Sequence, residues 1–278
     1  MSHLKYHFSR IHLESQTIDN CESLLSFLER GRIDKTRVYE WAFTDIEVIE
    51  LENEKFICGN LVKYKEELYE DVVDEIVHKT HLTTIENGVI AKSLFFLHCE
   101  SLVIAYHPSY NDIIPETFRS EFGKLIEINN TEFVYSCLLE VISDEKKIIE
   151  AIKKFEVISK LEIKLKPSNI QIRGLCKETD EKIKAMNANE YKQVYKSDKG
   201  LVIKESSQPY KEIIMAVVGY GKAKIIGIKD EIEDEASTEK LPITVKVEGT
   251  SDRHFILKIL YNQFEEIWWQ GDSITKLT

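Results

Sequence analysis

The chain is poor in the residues that punctuate or cross-link a backbone. Eleven Gly and five Pro among 278 residues exclude collagen-like and low-complexity architectures, and no unit of roughly 20–50 residues repeats, which excludes solenoids and propellers. No apolar run approaches the roughly 18 residues of a membrane span. The opening MSHLKYHFSRIHLES alternates without a continuous apolar stretch, so no signal peptide is expected. The five cysteines (Cys21, Cys58, Cys99, Cys137, Cys176) are scattered, odd in number and free of any CxxC pair. That usage suits a reducing compartment with buried thiols, so a cytoplasmic protein without a membrane span is expected. There is no HExxH, no kinase signature and no Ser-His-Asp order. Gly219-Tyr220-Gly221 lacks the third glycine of a dinucleotide loop and reads as a helix stop followed by a strand. No cofactor and no metal site are expected.

Cationic charge is also scarce overall: 37 Lys and Arg against 48 Asp and Glu give net −11. Its distribution is uneven. Residues 146–224 hold 18 Lys and Arg against 10 Asp and Glu, a local net of +8, which leaves −19 for the rest. Such asymmetry points to a polyanion site on an acidic body.

With 43% hydrophobic residues the chain can bury a substantial core. Alternation predicts strands over 5–13, 38–51, 55–65, 91–98, 101–107, 133–142, 158–166, 200–203, 222–229 and 243–247. Helical spacing predicts helices over 21–28, 115–126, 144–155, 180–195, 209–218 and 253–269. Asp19 or Asn20 suits the first N-cap and Gly31 its stop, Pro115 fits a first turn, and Asp144 is placed to cap the third helix. Residues 66–87 read equally as ribbon or helix. Residues 230–239 read as an acidic loop, placed to compete with a polyanion for the basic sector. The expected fold is α+β: mainly antiparallel and mixed sheets, a β-α-β unit across 133–166 and a C-terminal amphipathic helix. A soft boundary divides an N-terminal α+β domain, 1–145, from a C-terminal one, 146–278, which carries the basic sector.

Several groupings carry residue types that could do chemistry. Glu162-Ile163-Lys164 is the ExK tail of a metal-dependent nuclease, a chemistry that needs a second acid on the neighbouring strand; the acids nearby in sequence are Glu140, Asp144 and Glu156. His78 and His81 could share a helix face as metal ligands. His98-Cys99 and His107 end adjacent strands, where a Cys–His pair could meet. Each pattern arises readily by chance, and no catalytic residue is assigned. What stands out is the basic edge of the strand ISKLEIKLKPSNI (158–170). Lys164, Lys166, Ser168, Asn169 and Arg173, followed by Lys182, Lys184, Lys192 and Lys196, are candidate phosphate contacts.

Two stretches, SLFFLHCESLVIAYHP (93–108) and FEVISKLEIKLKPSNI (155–170), resemble an uncharacterised bacterial family associated with phage-defence loci. More distantly, the layout is similar to the lambda phage exclusion protein RexA and the defence subunit KwaB. The resemblance implies an antiviral or abortive-infection role, homodimerisation, and non-specific binding of nucleic acid, duplex DNA rather than RNA, without a catalytic centre. A nuclease or toxin effector using Glu162 and Lys164, and an interaction subunit of a defence complex, are the alternatives.

Overall fold

In the computed structural model the described residues are 3–15, 21–29, 34–35, 38–74, 76–129, 134–169, 174–205 and 207–270. Two antiparallel sheets organise them. The first comprises β1 (His3–Ser15), β2 (Asp34–Lys35), β3 (Glu40–Leu51), β4 (Glu54–Asp74), β5 (Lys79–His98), β6 (Val103–Tyr106), β7 (Val134–Val141) and β12 (Thr244–Glu248). Its order is β12-β1-β6-β5-β4-β3-β2, with β7 paired to the second half of β1. Helices α1 (Cys21–Glu29) and α2 (Pro115–Asn129) cover one face, and α6 (Arg253–Gln270) covers the other. Pro115 opens α2, where its missing N–H costs nothing. Phe118, Phe122 and Leu125 then recur at helical spacing and are fully buried, each contributing about 1.5–3 kcal/mol of burial.

The second sheet comprises β8 (Val157–Leu165), β9 (Tyr191–Lys196), β10 (Gly221–Lys229) and β11 (Ile232–Ser237), in the order β11-β10-β8-β9. Helices α3 (Glu145–Lys153), α4 (Lys177–Ala185) and α5 (Gln208–Val217) share its core, in which Leu161, Ile163 and Leu165 of β8 are buried. The Asp144 carboxylate accepts from the Lys147 amide at 3.2 Å, capping α3 as expected.

The fold is therefore α+β and antiparallel, but several local expectations are corrected. The stretch read as ribbon or helix is a ribbon: β4 and β5 pair from Glu67↔Glu86 to Asp74↔Lys79. The helix expected over 180–195 stops at Ala185, because Asn187 turns left-handed (φ 53°) and ends the helix; Lys192 and Lys196 consequently lie on a strand. Residues 200–203 form no strand. The acidic loop is β11, joined to β10 through Asp230 and Glu231 at φ 51° and 63°. Two positive φ values make the tight hairpin turn usually marked by Asn-Gly or Asp-Gly, a marker missing here. In the strand–helix–strand run β7–α3–β8, the two strands enter different sheets, so α3 is a connector rather than a crossover. After this passage to the second sheet, β12 and α6 return to the first. Cys21 and Cys99, expected as separate thiols of a reducing compartment, form a disulfide with Cα atoms 5.0 Å apart, so cysteine usage does not argue for that compartment, while Cys58, Cys137 and Cys176 are free and buried. Asp19, Asn20 and Gly31 lie outside the described residues. Among the described residues no helix is long and apolar enough to cross a membrane.

Polar contacts fix the sheets to each other. The buried Arg10 of β1 donates from Nε to the Val218 carbonyl (2.9 Å) and from a terminal nitrogen to the Ser101 carbonyl (2.7 Å). Its guanidinium also lies 4.5 Å from the Tyr220 ring centre. His12 donates from Nε2 to the Gly219 carbonyl at 2.7 Å. Gly219 has φ 88°, and a Cβ there would stand 2.9 Å from Arg10 Cβ and from Ile142 Cγ1. Only glycine meets both demands without strain.

Candidate nucleic-acid interface

The burial rhythm of the second sheet creates the candidate surface. In β8, Leu161, Ile163 and Leu165 point inward, so Glu162 and Lys164 point outward. In β9, Lys192, Val194 and Lys196 are exposed, while Tyr191, Gln193 and Tyr195 are half-buried. In β10, Ala223 and Ile225 are buried, which leaves Lys222 and Lys224 on the open side. The ladder aligns these side chains: Lys164 stands opposite Lys222 on one side and Lys192 on the other, and Lys160 stands opposite Lys196. Like charges directly opposite each other weaken a sheet. This face nevertheless sets lysine beside lysine in two rows.

Carboxylates partly answer them. Lys164 pairs with Glu190 at 2.7 Å and Lys222 with Glu239 at 2.8 Å, while Lys160 pairs with Glu162. Lys224 and Lys240 both reach Glu235, and their hydrogen bonds hold its carboxyl down at about 2. The bond from Lys160 likewise holds the Glu162 carboxyl below its usual range. Among the described residues, Lys192 and Lys196 have no ion-pair partner.

The other expected contacts are employed elsewhere. Ser168 is buried; its amide and hydroxyl donate to the two oxygens of Asp180 (2.8 and 2.7 Å), and Lys184 joins them, 2.8 Å from Asp180 and 2.7 Å from Ser168 Oγ. Asn169 pairs with the backbone of Leu13, accepting from its N–H at 3.0 Å and donating to its carbonyl. Lys182 lies 5.9 Å from the Tyr191 ring centre. Lys166, half-buried just past β8, is close enough to His12 to oppose its protonation. Arg173 lies outside the described residues. The face therefore unites Lys164, Lys192 and Lys196 of the expected set, adds Lys160, Lys222 and Lys224, and excludes Ser168 and Asn169. Alternation in GKAKIIGIK (221–229) marks Lys222 and Lys224 as outward, but only the ladder register places them beside Lys164.

Other candidate chemistry loses its geometry. His78 sits in a turn at φ 50° and His81 on β5, so no helix face joins them. Cys99 is bonded to Cys21, and His98 Nδ1 is 2.7 Å from the buried Ser101 hydroxyl. Among the described residues no three His, Cys, Asp or Glu side chains gather as a metal site. Glu212, fully buried, accepts from Tyr191 (3.1 Å), Tyr195 (3.0 Å) and Gln208 (3.1 Å). Those two phenols are thus directed away from the lysine face.

A family model described as Domain of unknown function (DUF4747) matches residues 10–262. The chain belongs to the DUF4747 family. That match spans both sheets and most of α6, so the lysine face lies within the DUF4747 domain. No curated protein matches this DUF4747 chain.

Proposed function

We propose that the protein binds nucleic acid without sequence preference through the lysine face of β8, β9 and β10, as a cytoplasmic, homodimeric component of an antiviral response of the abortive-infection type. The single observation that carries the binding is the cross-strand row Lys222–Lys164–Lys192. Placing like charges side by side costs stability, and a polyanion relieves that cost. The inward direction of Tyr191 and Tyr195 leaves the strand β9 without an outward aromatic for base stacking, which favours duplex over single strands. The antiviral context rests on the resemblance of 93–108 and 155–170. Glu162 does not support the nuclease alternative, because Lys160 engages its carboxylate and, among the described residues, no three His, Cys, Asp or Glu side chains gather as a metal site.

The test is anisotropy titration of labelled duplex DNA, single-stranded DNA and RNA across a salt series. Three to five phosphate contacts give a log–log salt slope of roughly −3 to −4.5 on duplex. Lys164→Glu with Lys192→Glu abolishes retention. Glu162→Gln with Glu235→Gln tightens it, because the competing carboxylates are gone. Binding unchanged in the lysine variant refutes the proposal.

A further inference from the structure

The ribbon beyond residue 65 is the least explained part of the fold. β4 loses its partner β3 after Tyr64↔Glu40, and β5 pairs with β6 only from Phe95 onward. Between them, residues 66–74 and 79–87 form a two-stranded arm, and isolated hairpins of this kind are marginally stable in water. The arm nonetheless displays apolar side chains: Tyr69, Val73 and Leu82 are 55%, 60% and 64% exposed. It is also acidic, with seven Asp and Glu against a single Lys in 66–87. Glu67 and Glu86 stand directly opposite each other, a like-charge pair that disfavours the ribbon alone. Among the described residues neither Glu67, Asp71 nor Glu86 has an ion-pair partner, although the Tyr69 hydroxyl donates to the Glu67 carboxylate at 2.5 Å.

The lysine face mirrors this pattern. Along one face of the arm, Glu67, Tyr69 and Asp71 run anion, apolar, anion at alternate positions. Along β9, Lys192, Val194 and Lys196 run cation, apolar, cation at the same spacing. β9 is an edge strand, so its open face is accessible to another chain. We infer that the arm of one copy of the protein seats on the lysine face of a second copy, in a reciprocal two-fold exchange. Glu67 and Asp71 then meet Lys192 and Lys196, and Tyr69 covers Val194.

β9 has six residues, a length of roughly 20 Å. A face about 10 Å wide and of that length presents about 200 Å², and the four apposed surfaces of a two-fold pair bury about 800 Å², the size of a small, reversible interface whose specificity comes from charge complementarity. The inference rests on the homodimer proposed above: seating the arm covers Lys192 and Lys196, so nucleic acid on the paired protein has only Lys160, Lys164, Lys222 and Lys224 of the face. The pairing itself requires no nucleic acid and is tested without it.

The experiment is sedimentation velocity and light scattering on the full chain, with two surface variants: Glu67→Lys with Asp71→Lys on the arm, and Lys192→Glu with Lys196→Glu on the face. The wild type is expected at twice 32.4 kDa, and each variant alone at the single-chain mass, its dissociation constant raised about 100-fold or more by like-charge contact. Mixing the two variants restores the doubled mass, because lysine arms meet glutamate faces and glutamate arms meet lysine faces. That recovery also demonstrates that both variants fold. A wild type at single-chain mass, a variant that keeps the doubled mass, or a mixture that fails to recover it overturns the inference.

Discussion

Acidification should unfold this protein well above the usual carboxylate range, and His12 shows why. Its ring is buried between the sheets, with Nε2 committed to the Gly219 carbonyl and Nδ1 without a hydrogen-bond partner. Protonating Nδ1 places a charge in that buried site, which the Gly219 and Pro167 backbone offsets only in part. Burial, reinforced by Arg10 and Lys166, lowers its pKa to about 4 from 6.5. A base whose pKa falls on folding holds the unfolded state's protons less well when native. Its contribution is therefore complete above about 6.5, and is lost progressively as the pH falls from there through about 4. Linkage between those two values gives a loss of about 1.8 kcal/mol for this one group between pH 7 and pH 5. Two further histidines act the same way. His7 is lowered to about 4 chiefly by burial, with Lys5 and Arg119 adding and Glu116 opposing. His98 is lowered to about 4 by burial and by Arg10, although Glu54 lies 3.4 Å from its Nε2. The three together remove roughly 5 kcal/mol by pH 5, comparable with the whole stability of a domain. Glu54 and Glu145, both raised mainly by burial, work in the opposite sense, so the readout must isolate the histidine. Urea unfolding of wild type and His12→Gln at pH 7 and pH 5, followed by tryptophan fluorescence, does so. The glutamine amide can still donate to Gly219 but does not titrate, and the variant should lose about 1.8 kcal/mol less than wild type over that interval. Equal losses in the two proteins refute the reasoning.

Two further predictions concern the contacts between the sheets. Gly219→Ala adds a methyl 2.9 Å from Arg10 Cβ at φ 88° and should cost about 1–3 kcal/mol from backbone strain, seen as a lower urea midpoint with secondary structure retained. Asn169→Ala removes both hydrogen bonds to Leu13 and should cost about 1–3 kcal/mol while leaving the salt dependence of duplex binding intact. A parallel loss of phosphate contact in Asn169→Ala would return that residue to the interface.

Where one face of an element is buried, the residues announce it. The stripe Phe118, Phe122, Leu125 and the alternation Leu161, Ile163, Leu165 each specify their element and its inner side, because a side-chain period is a local property. The hairpin through Glu52 and Asn53 (φ 51° and 65°) is legible as the polar break between the alternating runs 38–51 and 55–65. By contrast, β11 carries no such signal. It is an edge strand reading IEDEAS, exposed at its first four positions, and a strand with no buried face carries no alternation to read. The strand β9 reads equally as helix because Tyr191 and Tyr195 are four apart, a spacing that serves a helical stripe as well as alternate strand positions.

By itself, then, the sequence determined the secondary elements with one greasy face, the antiparallel α+β class and the concentration of lysine between 146 and 224. The tertiary structure decided which lysines stand together. Alternation states that Lys164, Lys192 and Lys222 point outward, but not that they are neighbours, since register depends on pairing between strands up to 58 residues apart. It also decided that Ser168 and Asn169 are consumed by Asp180 and Leu13, and that β12 and α6 close the first sheet rather than the second. Hydrophobic patterning marks a side to be buried and is silent about the partner that buries it. That choice belongs to the whole chain, because it is made by packing and hydrogen bonding across long sequence separations.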